Sequence, residues 1–288
     1  MVAVAGQILS VFKLRIGVVI MLSALAGLAV TPGPMPEAYQ VWVLAVAVLI
    51  SAASAGAFNQ YIERDIDGRM SRTANRPFVT GRFTAGPVWP LVIWGLMALA
   101  VGAAAYAVNA WAALYTFLGA FTYAVVYTVW LKRRTWLNIV FGGLAGSFAV
   151  LAGAAAVDPG IGASAFLFSL TLFLWTPPHF WSLALALKDD YAAAGVPMLP
   201  VVVGSKATAR IILASTLALV FVSLTPAFVG MGTTYLVGAL LGGAIFIWFS
   251  VKLVGNPTRR NAMLAFFSSL IQLTILLAAA MADRWLIS

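Results

Sequence analysis

Five of the eight acidic residues in this 288-residue chain fall in two short stretches, and any polar chemistry must start there. In the first, FNQYIERDIDGRMSRTANRP (58–77), Asn59, Glu63 and Asp67 recur at every fourth position. On a helix that spacing turns about 40° per step, so three oxygen-bearing side chains line one stripe while Asp65 points elsewhere. Like charges four residues apart repel each other unless a cation lies between them. Hard cations such as Mg2+ take oxygen ligands of this kind, commonly one or two carboxylates completed by water and substrate phosphates. In the second stretch, TPPHFWSLALALKDDYAAAGVPMLP (176–200), Asp189 and Asp190 follow a long apolar run. Carboxylates from two separate helices make a two-sided clamp, in which Mg2+ bridges each side to a polyphosphate and neutralises a leaving group. The plainer alternative for both stretches is a solvated, charged helix end at a membrane surface.

Basic residues accompany the acids. Arg72, Arg76 and Arg82 share the first stretch or its continuation, Lys132, Arg133 and Arg134 end another apolar run, and Lys188 and Lys206 flank the second stretch. Arg grips phosphate as a fork and Lys as a point charge. Arg72, Arg76, Lys132 and Arg133 are best placed to reach a substrate, although each taken singly reads equally as a loop cation beside anionic lipid. The lone histidine, His179, lies roughly 12 Å of helix before the end of its apolar run at Leu187. It follows Pro177-Pro178, a pair that kinks a helix and frees carbonyls. On an unbroken helix His179 and Asp190 stand about 20° apart and face one cavity. Iron ligand, acid–base group and neutral partner of a freed carbonyl all remain open for His179. Metal, polyphosphate and bilayer together suggest a lipid diphosphate, whose allylic C–O bond ionises when the departing diphosphate is stabilised.

These side chains need elements to hold them. Only 25 residues are charged (17 Lys+Arg, 8 Asp+Glu) and 63% are of hydrophobic type, against about 25% charged in a soluble domain. An ordinary soluble protein is excluded, and with no Cys so are disulfides, iron–sulfur clusters and thiolate zinc sites. A membrane helix needs ~20 mostly apolar residues. Charge-free intervals, divided at Val108-Asn109-Ala110 and at Gly230–Thr234, predict nine spans near 14–31, 41–63, 88–107, 111–131, 138–157, 162–187, 207–229, 235–254 and 262–282. With the N-terminus inside, every basic residue except Arg284 falls on the cytoplasmic side, as the positive-inside rule requires. The net charge of +9 is thereby explained without nucleic acid. Both acidic stretches fall on that same side. Glu37, Asp158 and Asp283 fall opposite and read as solvated loop residues. The first 15 residues show neither a signal-peptide cleavage site nor a transit-peptide composition, so the chain reads as a single all-α membrane domain, 1–288.

NQYIERDIDGRMSRTANRP (59–77), YTVWLKRRTWLNIVFGGLAG (127–146) and TPPHFWSLALALKDDYAAAGVPMLPVV (176–202) together resemble the intramembrane aromatic prenyltransferases of the UbiA superfamily, in particular its haem-farnesylating branch. The resemblance covers nearly the whole chain. It implies a UbiA-like helical bundle in a bacterial inner membrane, with the active site on the cytoplasmic face. Asn59, Glu63 and Asp67 would hold Mg2+ and farnesyl diphosphate, and Asp189 and Asp190 would form a second metal side. Arg72, Arg76, Lys132, Arg133 and Lys188 would contact substrate, and His179 would lie near the porphyrin. Asp67, Asp190 and His179 would be the catalytic groups. The implied reaction joins farnesyl C1 to a vinyl group of haem B, with water capturing the resulting cation. A haem A synthase or an oxidase-assembly protein would take up the product. Glu63 replaces the Asp of most members, and the second motif has two acids in place of a spaced series. A prenyltransferase for a quinone or other aromatic acceptor is the alternative of the same class. A transporter is the alternative of another class, disfavoured because transporters place ionisable groups near the midplane.

Overall fold

In a chain this apolar the backbone must satisfy its own hydrogen bonds, and helices do so within one segment. The structure, a computed structural model, describes residues 2–287, with side chains described for 6–286; no strand occurs among them. The helices are α1 (Val2–Val11), α2 (Leu14–Ala29), α3 (Ala38–Ile62), the single turn α4 (Arg64–Asp67), α5 (Val88–Ala107) and α6 (Ala110–Phe121). A π-helix, Thr122–Leu131, continues α6. After it come α7 (Asn138–Gly142), α8 (Leu144–Val157), α9 (Ala163–Ala186), α10 (Lys188–Ala193), α11 (Leu199–Leu224), a 3-10 turn (Thr225–Phe228), α12 (Thr233–Gly255) and α13 (Arg259–Ile287).

Helical structure occupies each interval read from the sequence. Seven described helical segments are long and apolar enough to cross a membrane. The other two intervals are α2, with 16 residues, and α9, whose 24 residues include Pro177, Pro178, His179 and several hydroxyls. The largest difference lies in α11, which begins at Leu199, not near 207. The chain turns inside it at Gly204, whose φ of 79° suits a residue without Cβ.

α2, α3, α5, α6 and α8 pack as one group, and α9, α11, α12 and α13 as another; α8 on α9 and α2 on α13 join them. α2 and α8 touch backbone to backbone. A methyl group at Gly27 would collide with the Val150 carbonyl, and one at Gly153 with the Ala24 carbonyl. Small residues permit this approach where water supplies no hydrophobic drive.

Asp283 departs from expectation. It is 1% exposed, not solvated. Its carboxylate accepts the backbone N–H of Gly232 (2.6 Å) and of Tyr235 (3.1 Å). It thus caps α12 from across the chain, satisfying amides that a helix start leaves unpaired. Glu37 and Asp158 are exposed, as expected.

Candidate active site

α3 ends at Ile62, yet the hydrogen-bond register survives into α4: Glu63 N–H bonds the Asn59 carbonyl (3.0 Å) and Asp67 N–H the Glu63 carbonyl (2.8 Å). The stripe of Asn59, Glu63 and Asp67 is therefore real, and all three are at most 2% exposed. Each is met by a cation. Lys13 Nζ donates to Asn59 Oδ1 (2.5 Å), Lys132 Nζ to Glu63 Oε2 (2.5 Å) and Arg76 Nη1 to Asp67 Oδ2 (2.5 Å). Desolvation pushes the Lys13 ammonium down to about 7; Arg76 and Lys132 add repulsion, and Glu63 and Asp67 oppose it.

The π-helix supplies the facing wall. Such wide turns are rare and recur at functional sites. Thr128 Oγ1 accepts from Asn59 Nδ2 (3.0 Å) and donates to the Tyr123 carbonyl (2.8 Å), which orients the Asn59 amide oxygen toward Lys13. Tyr123 OH also accepts from Lys13 (3.1 Å), and the Tyr123 and Tyr127 rings stack at 5.6 Å. The loop after α4 is pinned where Phe78 packs edge-on to Tyr61 (5.8 Å) and Trp89 (5.0 Å), and where Thr73 Oγ1 bonds the Asp67 carbonyl (2.9 Å). That anchoring places Arg76.

Directly behind Lys13 and Tyr123 opens an apolar crevice between α2, α3, α6 and α8. Ile20, Val48, Tyr115 and Ala149 line it. From Asn59 to Val48 α3 runs about 16 Å into the bundle. A buried charged cluster thus opens into a long apolar slot, and this suits a molecule with an anionic head and a hydrocarbon tail.

The second acidic stretch stands beside the first, since Ser71 Oγ donates to Asp190 Oδ2 (2.7 Å). Asp189 is exposed, and no group of three or more acidic or His side chains able to hold a metal exists among the described residues, at either stretch. The one-sided donor set does suit a hard cation. Asn59, Glu63 and Asp67 are all oxygen donors, and Glu63 Oε1 is buried without a hydrogen-bond partner. Arg133 turns to the exposed Asp65 as a fork (2.7 and 2.8 Å), which lowers the Asp65 carboxyl and raises the guanidinium. Arg72 is exposed and Lys188 half-buried; neither has an ion-pair partner among the described residues.

α9 and α10 are not one unbroken helix: they meet at Leu187 (φ −116°, ψ 28°), through which hydrogen bonds still run from Leu187 N–H to the Leu183 carbonyl and from Tyr191 N–H to the Leu187 carbonyl (3.1 Å each). The His179 imidazole lies between Trp175 (4.1 Å) and Phe266 (4.7 Å), with Nδ1 2.7 Å from Ser269 Oγ and not on a freed carbonyl. Ser269 Oγ donates to the Phe266 carbonyl (2.6 Å), so Nδ1–H is the donor to Ser269, and Nε2 keeps its lone pair.

Lys13, Tyr123 and Thr128 were missed in the sequence. Lys13 reads there as one more positive-inside residue, and nothing local announces a partner 46 positions away. The run of β-branched and aromatic residues in 122–131 was the only trace of the wall.

The description "UbiA prenyltransferase family" matches residues 20–271. Protoheme IX farnesyltransferase 2 of Paramagnetospirillum magneticum is 62% identical, covering 95% of each chain. Protoheme IX farnesyltransferase 1 of the same organism is 46% identical over 96% of this chain and 98% of its own. Among solved structures, a UbiA homolog from Archaeoglobus fulgidus bound to GPP and Mg2+ superposes with a TM-score of 0.74 at 14% identity, covering 97% of this chain and 99% of that one. At such identity the likeness concerns the fold.

Proposed function

This chain belongs to the UbiA prenyltransferase family, and on that premise we propose that it transfers farnesyl from farnesyl diphosphate to a vinyl group of haem B, with addition of water, giving haem O and diphosphate. The observation that carries the proposal is the meeting of a buried Asn59–Glu63–Asp67 stripe and its cations with an apolar slot, in a chain 62% identical to a protein named for this reaction.

Asn59, Glu63 and Asp67 would hold Mg2+, with Glu63 offering its unpartnered Oε1. When bound, the ion neutralises charge on the diphosphate and favours its departure. Lys132 and Arg76 then have a competing anion beside their carboxylates and turn to diphosphate oxygens, joined by Arg72 from the loop. Asp190, tied to Ser71, fastens the second stretch against the first. The crevice takes the farnesyl tail and excludes water from the allylic carbon. The Tyr123 ring, at its mouth, faces the developing cation with π density. The C1–O pair leaves with diphosphate, the vinyl π pair forms the new bond to C1, and water adds to the remaining carbon with loss of a proton. His179, fixed as the Nδ1–H form, presents Nε2 for haem iron or for that proton. The orientation read from the basic residues puts this face in the cytoplasm, within a nine-crossing bundle in a bacterial inner membrane.

The test is direct. Purified protein receives haem B, farnesyl diphosphate and Mg2+, and mass spectrometry looks for porphyrin carrying farnesyl plus water. Absence of that product, with prenylation of a phenolic acceptor in its place, overturns the haem reading and leaves the family.

A further inference from the structure

The lone histidine is held by two helices at once. On α9, Trp175 and His179 are four residues apart, and on α13, Phe266 and Ser269 are three apart, so each pair lies on one helix face. Where the faces meet, the imidazole stacks between the rings of Trp175 (19° between planes) and Phe266 (28°), and this fixes its plane. Stacking alone leaves open a half-turn of the ring, which would exchange its nitrogens with carbons. The bond from Nδ1–H to Ser269 Oγ (2.7 Å) closes that freedom. Ser269 is itself fully buried and tied twice more: its hydroxyl donates to the Phe266 carbonyl (2.6 Å), and its carbonyl accepts Trp175 Nε1–H (3.0 Å).

The nitrogen left over is Nε2, which has no hydrogen-bond partner among the described residues. The rings in contact with the imidazole are Trp175, Phe180 and Phe266, and no carboxylate pairs with it among the described residues. An imidazolium here would have no counter-charge, and burying an unpaired charge is costly. A neutral imidazole with a free lone pair is instead the form that binds a metal. Metal-bound histidines almost always donate their other N–H to a fixed acceptor, as His179 does to Ser269.

We propose that Ser269 is a positioning residue for the acceptor: by holding His179 in the Nδ1–H form it keeps the Nε2 lone pair ready for the iron of the substrate haem. The macrocycle is then held by its metal while a vinyl group reacts, and no bond of the transfer itself is made or broken at Ser269. This role rests on the proposed haem substrate. It is separate from the acidic stripe, since neither His179 nor Ser269 bonds Asn59, Glu63, Asp67 or their cations. It also bears on specificity, because a phenolic or quinone acceptor offers Nε2 no metal.

The test uses purified full-length protein carrying no histidine tag. With ferrous haem B, wild type is expected to show the iron–histidine band in resonance Raman spectra, and His179→Ala to lose it. In Ser269→Ala the band is expected at lower wavenumber, because Nδ1–H has lost its acceptor and the ligand is less basic. Haem B affinity is expected to fall about tenfold, the lower end for removing the partner of a metal-bound histidine. Binding of metal-free protoporphyrin IX and KM for farnesyl diphosphate are expected to stay at wild-type values. Ser269→Thr, which keeps the hydroxyl, is expected to restore band and affinity. The band arises only from folded, haem-loaded molecules, so a Ser269→Ala that melts earlier is still readable. Wild-type band and haem B affinity in Ser269→Ala overturn the proposal, and so does an equal loss of affinity for haem B and for the metal-free porphyrin. A wild type that shows the band but makes no farnesylated porphyrin overturns the transfer and leaves this role. A wild type that makes the product without the band overturns this role and leaves the transfer.

Discussion

Asp283 and Asp67 are both acids, both nearly fully buried, and both near helix ends, yet they are held by different means. Asp283 accepts two backbone amides at the start of α12, and those dipoles cannot leave. Asp67 and Glu63 are held by the side chains of Arg76 and Lys132, which rotate. Backbone amides make an acid structural. Mobile cations make it exchangeable, because an incoming metal and an incoming anion can each take one half of the pair. Burial alone does not separate the two cases.

The strongest way to break this contrast is to neutralise the exchangeable side. Asp67→Asn or Glu63→Gln is expected to lower turnover at least 100-fold, on the order of 3 kcal/mol of transition-state stabilisation, while the protein still inserts and purifies. Product assay against yield in membranes checks it, and near-normal turnover would end the assignment of the stripe. Removing divalent ions from wild type with a chelator is expected to abolish turnover, with return on adding Mg2+; turnover that survives would remove the metal from the reading. On the other side, Asp283→Ala strands the amides of Gly232 and Tyr235 and should cost about 1–3 kcal/mol in stability. Thermal unfolding should register it, and kcat per folded molecule should stay at the wild-type value. The smallest effect is expected at Arg133→Ala. Its pair with Asp65 is exposed, worth under ~1 kcal/mol, so melting temperature and KM for farnesyl diphosphate should hardly move. A KM raised tenfold would instead place Arg133 on the diphosphate.

The contrast between the two faces was only half visible in one dimension. The Asn59–Glu63–Asp67 spacing is a local property, since hydrogen bonds four residues apart carry it through the break at Glu63. Asp283, in contrast, is indistinguishable in sequence from the exposed Asp158. Its burial depends on where α12 begins relative to α13. The junction at Leu187 between α9 and α10 was equally unmarked in the sequence, which reads there as one apolar run ending in Lys-Asp-Asp. The π-helix escaped notice because its residues continue the apolar run of α6 without a Gly or Pro to mark the change.

The chain's own composition and order determined that it is helical, that its helices are membrane-length, and that its oxygen ligands share one stripe. Scarcity of charge and the period of the helix act over a few turns, and such rules are written in neighbouring residues. Only the packed bundle decided that Lys13 meets Asn59, that Lys132 meets Glu63, that a slot opens between α2, α3, α6 and α8, and that the second acidic stretch lies against the first. Those pairings join residues far apart along the chain, and their geometry follows from helix crossings that glycines such as Gly27 and Gly153 allow.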